Sequence, residues 1–118
     1  MPSTDLVINA IFEDIVVPNP KVTITKGNNN SLTININDQT DTDTYIIYRS
    51  TDKKKYTKIA TISENTYTDK SLTYGKTYYY KVRAYNSSEK IYSKSYSNVV
   101  YKKVIPNTVT NLKYEAIG

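Results

Sequence analysis

Apolar and polar side chains alternate along most of this chain, and the longest alternation lies in residues 72–86, LTYGKTYYYKVRAYN. Leu72 leads into a turn at Thr73-Tyr74-Gly75. After it, Tyr78, Tyr80, Val82 and Ala84 fall on one side, and Tyr79, Lys81, Arg83 and Tyr85 on the other. Successive strand side chains point to opposite sides of a sheet, so a period of two in a run rich in aromatic and β-branched residues predicts a strand with one buried face. The flanking segments share that period, which makes this stretch the expected central strand of a small antiparallel sandwich.

Further strands are predicted at 21–25, at 31–37 with Leu32, Ile34 and Ile36 on one face, at 44–49, at 56–62, at 66–69 and at 91–104. The 44–49 segment is apolar on both faces, as expected near a sheet centre. Gly27-Asn28-Asn29-Asn30 tolerates positive φ and reads as a turn. Residues 38–43 and 86–90 are polar loops, and 50–55 and 63–65 are turns. Short strands with turn signals every ~8–12 residues predict an all-β, seven-stranded antiparallel immunoglobulin-like sandwich. No segment holds helical spacing long enough to predict a helix. Near the N-terminus Leu6, Ile8, Ala10 and Phe12 also alternate, but Pro18-Asn19-Pro20 sets them apart as a stiff spacer that cannot continue a ladder.

Composition narrows the chemistry. A chain of 118 residues accommodates one domain with short additions, which buries about two thirds of its unfolded surface. It has no Cys, His or Trp, so disulfides, thiol nucleophiles, imidazole bases and the usual zinc ligands are unavailable. The net charge is +5, but the lysines are scattered among carboxylates and only Lys53-Lys54-Lys55 forms a run, in a predicted turn where it also blunts edge pairing. A nucleic-acid interface needs a contiguous basic stripe, and none is predicted. No run approaches the ~18 apolar residues that cross a bilayer, and no signal-peptide pattern opens the chain. It is therefore either intracellular or a piece of something longer. Abundant Lys, Asn, Ile and Tyr is the bias of an AT-rich coding sequence, as in a bacterium of that kind.

With the strands placed, residues of about 20–104 resemble a fibronectin type III domain of the bacterial variety. The resemblance rests on Leu72-x-x-Gly75-x-x-Tyr78-x-Tyr80-x-Val82-x-Ala84, on the strand Tyr45 to Ser50, on Tyr67-Thr68-Asp69, and on Tyr96 to Val100. It implies that Tyr78 forms a tyrosine corner, its hydroxyl bonded to backbone just upstream, and that Leu72 plugs one end of the sandwich. Two positions depart from the pattern: Ile36 stands on the strand that usually carries a core Trp, so tyrosines must fill that volume, and Tyr74 replaces the Pro before Gly75. Both suggest a less stable member. The Arg-Gly-Asp of integrin-binding modules is missing, so that function is not carried over.

Residues Met1-Pro2, Asp5 and 7–13 resemble the closing strand of repeat modules in Gram-positive surface proteins, and 105–114 resemble the opening strand of another fibronectin-like domain. The implied layout is a remnant strand and linker at 1–17, the domain at 18–104, and a linker with the start of a following module at 105–118. The implied role is a non-catalytic spacer in a secreted or cell-wall-associated bacterial multidomain protein. Its partners would be the neighbouring domains of the same polypeptide, and the module itself would be monomeric, with no cofactor and no membrane insertion. The alternative is a binding module, either an adhesin for a host protein or an accessory carbohydrate-binding domain of a glycoside hydrolase.

Two groups of residues remain as candidates for chemistry. Asp38, Asp41 and Asp43 are spaced to offer oxygen ligands to a hard cation, but the loop lacks the Gly and bidentate Glu of the known calcium loop; a solvated loop is the preferred reading, and no metal site is predicted. Tyr48, Tyr79, Tyr85, Tyr92 and Tyr96 are expected on the outward face of the sheet. There they could stack on sugar rings or anchor a partner, although outward tyrosines also support cross-strand pairing. No two carboxylates are placed in a shared cleft, so no acid–base catalysis is expected.

Overall fold

The computed structural model describes residues 15–106. The alternation at 6–12 and the segment from 107 onward lie outside the described residues. Eight strands follow in order: β1 Val22–Lys26, β2 Leu32–Ile36, β3 Thr44–Ser50, β4 Thr57–Ile62, β5 Thr66–Asp69, β6 Thr77–Asn86, β7 Ile91–Tyr92 and β8 Val100–Lys103. Among the described residues there is no helix.

Every pairing is antiparallel. One sheet has the order β1-β2-β5; the other runs β4-β3-β6, with β7 and β8 both pairing with β6. The alternation that marks β6 in the sequence is also its burial pattern: Tyr80, Val82 and Ala84 are fully buried and Tyr78 nearly so. They meet Val22, Leu32, Ile34 and Ile36 from the first sheet and Tyr45 and Ile47 from their own, with Leu72 and Val104 closing one end. Each fully enclosed Leu or Ile contributes about 1.5–3 kcal/mol by leaving water. Tyr45, Tyr78 and Tyr80, not a Trp, supply the aromatic volume of this core.

The single last strand expected at 91–104 is two strands, and the reason is a register slip. Tyr85 faces Tyr92, yet Tyr80 faces Val100, so the last strand uses three more residues than β6 over the same span. Across the gap, two buried serines keep β6 satisfied. Ser93 N–H donates to Ala84 O at 2.9 Å and Ser97 N–H to Val82 O at 2.7 Å. In return, the N–H groups of Ala84 and Val82 donate to the Ser93 and Ser97 hydroxyls at 3.1 and 2.9 Å. A side-chain oxygen stands in for the missing carbonyl, so no buried donor is orphaned on either residue.

The core begins earlier than the expected boundary at residue 18, because Val17 is 4% exposed and Ile15 packs against the same cluster. Pro18-Asn19-Pro20 lies against the sandwich: Gln39 Nε2 donates to Pro18 O at 2.7 Å, and Ser95 N–H donates to Asn19 Oδ1 at 2.9 Å. Nearby, the Asn98 amide clasps β1 through both Val22 N–H and Val22 O at 3.0 Å. The chain thus enters beside the β2–β3 loop. It leaves at the opposite end, where Val104 O accepts from Gly75 N–H and Val104 N–H donates to Lys76 O.

Candidate functional site

Among the described residues the interior holds one carboxylate, and it is a tie between the sheets. Asp69 on β5 is 5% exposed and accepts from Arg49 Nη1 on β3 at 2.9 and 3.1 Å and from the Tyr80 hydroxyl on β6 at 2.6 Å. Burial first, then the hydrogen bond to Asp69, pushes the Tyr80 hydroxyl far above the ordinary phenol range. Burial acts most strongly on Arg49 and disfavours its charge. The hydrogen bond and charge of Asp69 more than offset that effect and leave its pKa raised. Tyr80 is therefore a fixed donor and not a proton shuttle.

The Tyr78 hydroxyl accepts the Thr73 N–H at 3.0 Å, five residues upstream, which closes the tyrosine corner that the sequence pattern implies. Gly75 in the same turn has φ +86°, a conformation that disfavours any residue with a Cβ. Leu72 is buried beneath it.

The acidic loop does not gather its carboxylates. Asp38 Oδ1 accepts from Asn65 Nδ2 at 2.7 Å. Asp41 adopts φ +54° and offers its backbone oxygen to Asn86 Nδ2. Asp43 accepts from the Ser87 hydroxyl at 2.5 Å, from Ser87 N–H and from the Thr44 hydroxyl. The Ser87 hydroxyl, followed by that of Thr44, holds the Asp43 carboxyl below its ordinary pKa. These residues clasp neighbouring turns, and among the described residues no three acidic side chains group as a metal site.

The outward face of the five-stranded sheet is where the candidate tyrosines meet. Tyr85 and Tyr92 lie with ring centroids 4.4 Å apart, Tyr48 and Tyr96 edge to face at 5.2 Å, and Tyr79 stacks on Tyr101 at 5.5 Å. Cations from β6 thread between them. Lys81 Nζ sits 3.8 Å from the Tyr96 ring centre and 4.3 Å from that of Tyr56. The Arg83 guanidinium lies 4.9 Å from Tyr92 and 5.7 Å from Tyr96, while its Nε donates to Ser93 O. Burial, with Tyr96 adding to it, raises the Tyr48 pKa, and burial followed by the Asp52 charge raises that of Tyr56. Both phenols stay neutral, so Lys81 and Arg83 carry the charge here.

All five tyrosines named from the sequence are thus on one face, but Tyr56, Tyr101, Lys81 and Arg83 complete the array and were not assigned to it. The two cations were visible as outward residues of β6. Tyr101 was not, because the three-residue slip flips the alternation between β7 and β8: Tyr92 and Tyr101, on opposite sides by sequence parity, share a side in space. A shallow groove of ≈ 390 Å³ lies on this face between Ile46, Tyr48, Lys58, Arg83, Tyr85 and Tyr92.

Two antiparallel sheets in this order, closed by the tyrosine corner, make the fibronectin type III fold. A fibronectin type III-like protein from Clostridium thermocellum is 24% identical over 78% of this chain and 93% of its own, with a TM-score of 0.59. The fibronectin type III domain of human fibronectin type III domain containing protein 3 is 22% identical over 82% of this chain and 94% of its own, with a TM-score of 0.63. A beta-1,2-glucanase from Parabacteroides distasonis is 29% identical over 77% of this chain, with a TM-score of 0.67, and the match spans 13% of that enzyme's length. The fold therefore occurs both as a separate domain and as a small part of a longer enzyme chain. No protein-family profile and no curated protein sequence matches the chain.

Proposed function

We infer that this chain is a non-catalytic module of a secreted or cell-surface bacterial multidomain protein, and that it sets the distance and orientation of its neighbours. The observation that carries the reading is the exit geometry: Pro18 is held beside Gln39 at one end of the sandwich and Val104 beside Gly75 and Lys76 at the other. A rigid sandwich whose ends point apart lengthens a polypeptide by its own long dimension, and prolines at the junctions limit hinge motion. The interior supports the same reading, because the one buried carboxylate among the described residues is committed to Arg49 and Tyr80.

The test is small-angle scattering on the parent polypeptide with and without residues 15–106. The ten-residue β6, at a rise of about 3.3 Å per residue, gives the module a length of about 30 Å. Deletion should shorten the longest dimension by that amount. An unchanged dimension would refute the spacer role.

A second reading, a binding module for a protein or polysaccharide, draws its support from the tyrosine and cation array on the outer face. The occurrence of the same fold within a glucanase chain adds to it as an analogy of arrangement.

A further inference from the structure

We propose that the outer face of β3, β6 and β7 binds an acidic polysaccharide, a chain of pyranose rings bearing carboxylates, with the Tyr85–Tyr92 pair as the stacking platform and Arg83 and Lys81 as the anion partners. The proposal rests on the second reading above and names its ligand class.

Charge complementarity selects this occupant. The ion pair among the described residues is Arg49–Asp69, so neither Lys81 nor Arg83 is neutralised by a described carboxylate. Lys58 adds a third cation at the groove, and no Asp or Glu lines it. A cation held over aromatic rings is positioned and partly desolvated while keeping its full charge, so an arriving carboxylate finds a fixed target. Arg83 is the better placed of the two: Nε is anchored on Ser93 O, which leaves the planar end of the guanidinium for bidentate contact with a carboxylate.

The rings supply the other half of the recognition. Tyr92 is 50% exposed and is tilted against Tyr85 at an interplanar angle of 37°, which forms an open amphipathic step for a flat sugar face. Tyr101, 59% exposed and stacked on Tyr79, offers a second step toward the other end of β6. A linear polymer lying along β6 would meet rings at both ends and cations between them. A neutral glycan would leave the cations unused. An acidic peptide would satisfy the charges without needing the rings.

The experiment uses the chain as it stands, with polygalacturonate, dextran and poly-L-glutamate as probes in titration calorimetry at low ionic strength. The expected result is binding of polygalacturonate alone, weakened at 0.5 M salt, where the screening length falls to about 4 Å. Arg83→Gln and Tyr92→Thr should each lower affinity at least fivefold with the melting temperature held within a few degrees. Replacing Lys26 and Lys70 with Gln, which removes two charges beside Thr33 and Thr68 on the other sheet, should leave affinity within twofold.

Equal binding of poly-L-glutamate, an equal loss in the Lys26 and Lys70 double variant, or no binding to polygalacturonate would each overturn the proposal. Binding of dextran with equal strength would do the same, in favour of a neutral-glycan surface. If Tyr92→Thr fails to fold, Tyr92→Phe at the same position should keep binding while Arg83→Gln still loses it; retained binding in Arg83→Gln overturns the assignment. None of these outcomes bears on the length change on deletion, so the two readings fail separately.

Discussion

Replacing Asp69 with Ala tests whether one buried carboxylate ties the two sheets together. The substitution removes the acceptor of Arg49 Nη1 and of the Tyr80 hydroxyl together. Removing one partner of an enclosed pair costs about 3–5 kcal/mol. The Arg49 side chain is 34% exposed, so water takes up part of its charge and that component falls to about 2 kcal/mol. The Tyr80 donor, in a residue with no exposure, gains no replacement and adds about 1 kcal/mol. The expected loss is therefore about 3 kcal/mol, or about 12–24 °C in Tm for a domain of this size.

The assay is urea unfolding followed by tyrosine fluorescence, with the slope checked for constancy so that the midpoint reports stability. Tyr80→Phe supplies the internal comparison: it removes a single donor and leaves the Arg49 pair intact, so it should cost about 1 kcal/mol. In an Arg49→Met background, Asp69→Ala should cost distinctly less than alone, because no cation is left unpaired. A loss below about 1 kcal/mol for Asp69→Ala, or equal losses for Asp69→Ala and Tyr80→Phe, would refute this account of the bridge.

Gly75→Ala meets no atom within 4 Å of its added Cβ, so any destabilisation comes from φ +86°; thermal melts should show a loss of about 1–2 kcal/mol. Ser97→Ala leaves the buried Val82 N–H without its acceptor and should cost about 1–3 kcal/mol in urea unfolding, with faster amide exchange at Val82 as the local signature. Asp52 Oδ1 accepts from the N–H groups of Lys55 and Lys54 and from the Ser50 hydroxyl, and these bonds lower its pKa from 3.8 to about 2. A folded-state pKa below the unfolded value means that its contribution is complete above about pH 4 and fades as pH falls toward 2. Carbon-detected NMR titration should place the Asp52 midpoint near 2, and Asp52→Asn should flatten stability over that window.

The fold was legible because the local signal and the global one agree. A strand repeats every two residues whatever it pairs with, so Tyr78, Tyr80, Val82 and Ala84 could be assigned to the core before any partner was known. The same parity placed Tyr48, Tyr79 and Tyr85 on the outer face. It failed at Tyr101, because the extra residues between β7 and β8 are a property of two strands read together.

Asp69 shows the same limit. Its place in Tyr67-Thr68-Asp69 marked a strand, yet nothing in those residues specified a buried carboxylate. Its partners, Arg49 and Tyr80, arrive from the opposite sheet.

What the order of residues settled by itself was periodicity and exclusion: strands without helices, an apolar inner face, and no thiol or imidazole for chemistry. What only the packed molecule decided was adjacency. Register, the serine hydroxyls that bridge the broken last strand, and the threading of Lys81 and Arg83 among the rings all depend on which segments lie side by side. The physical reason is that backbone alternation is fixed within a few residues, whereas a hydrogen bond or ring contact joins atoms from distant points in the chain whose meeting is set by the whole sandwich.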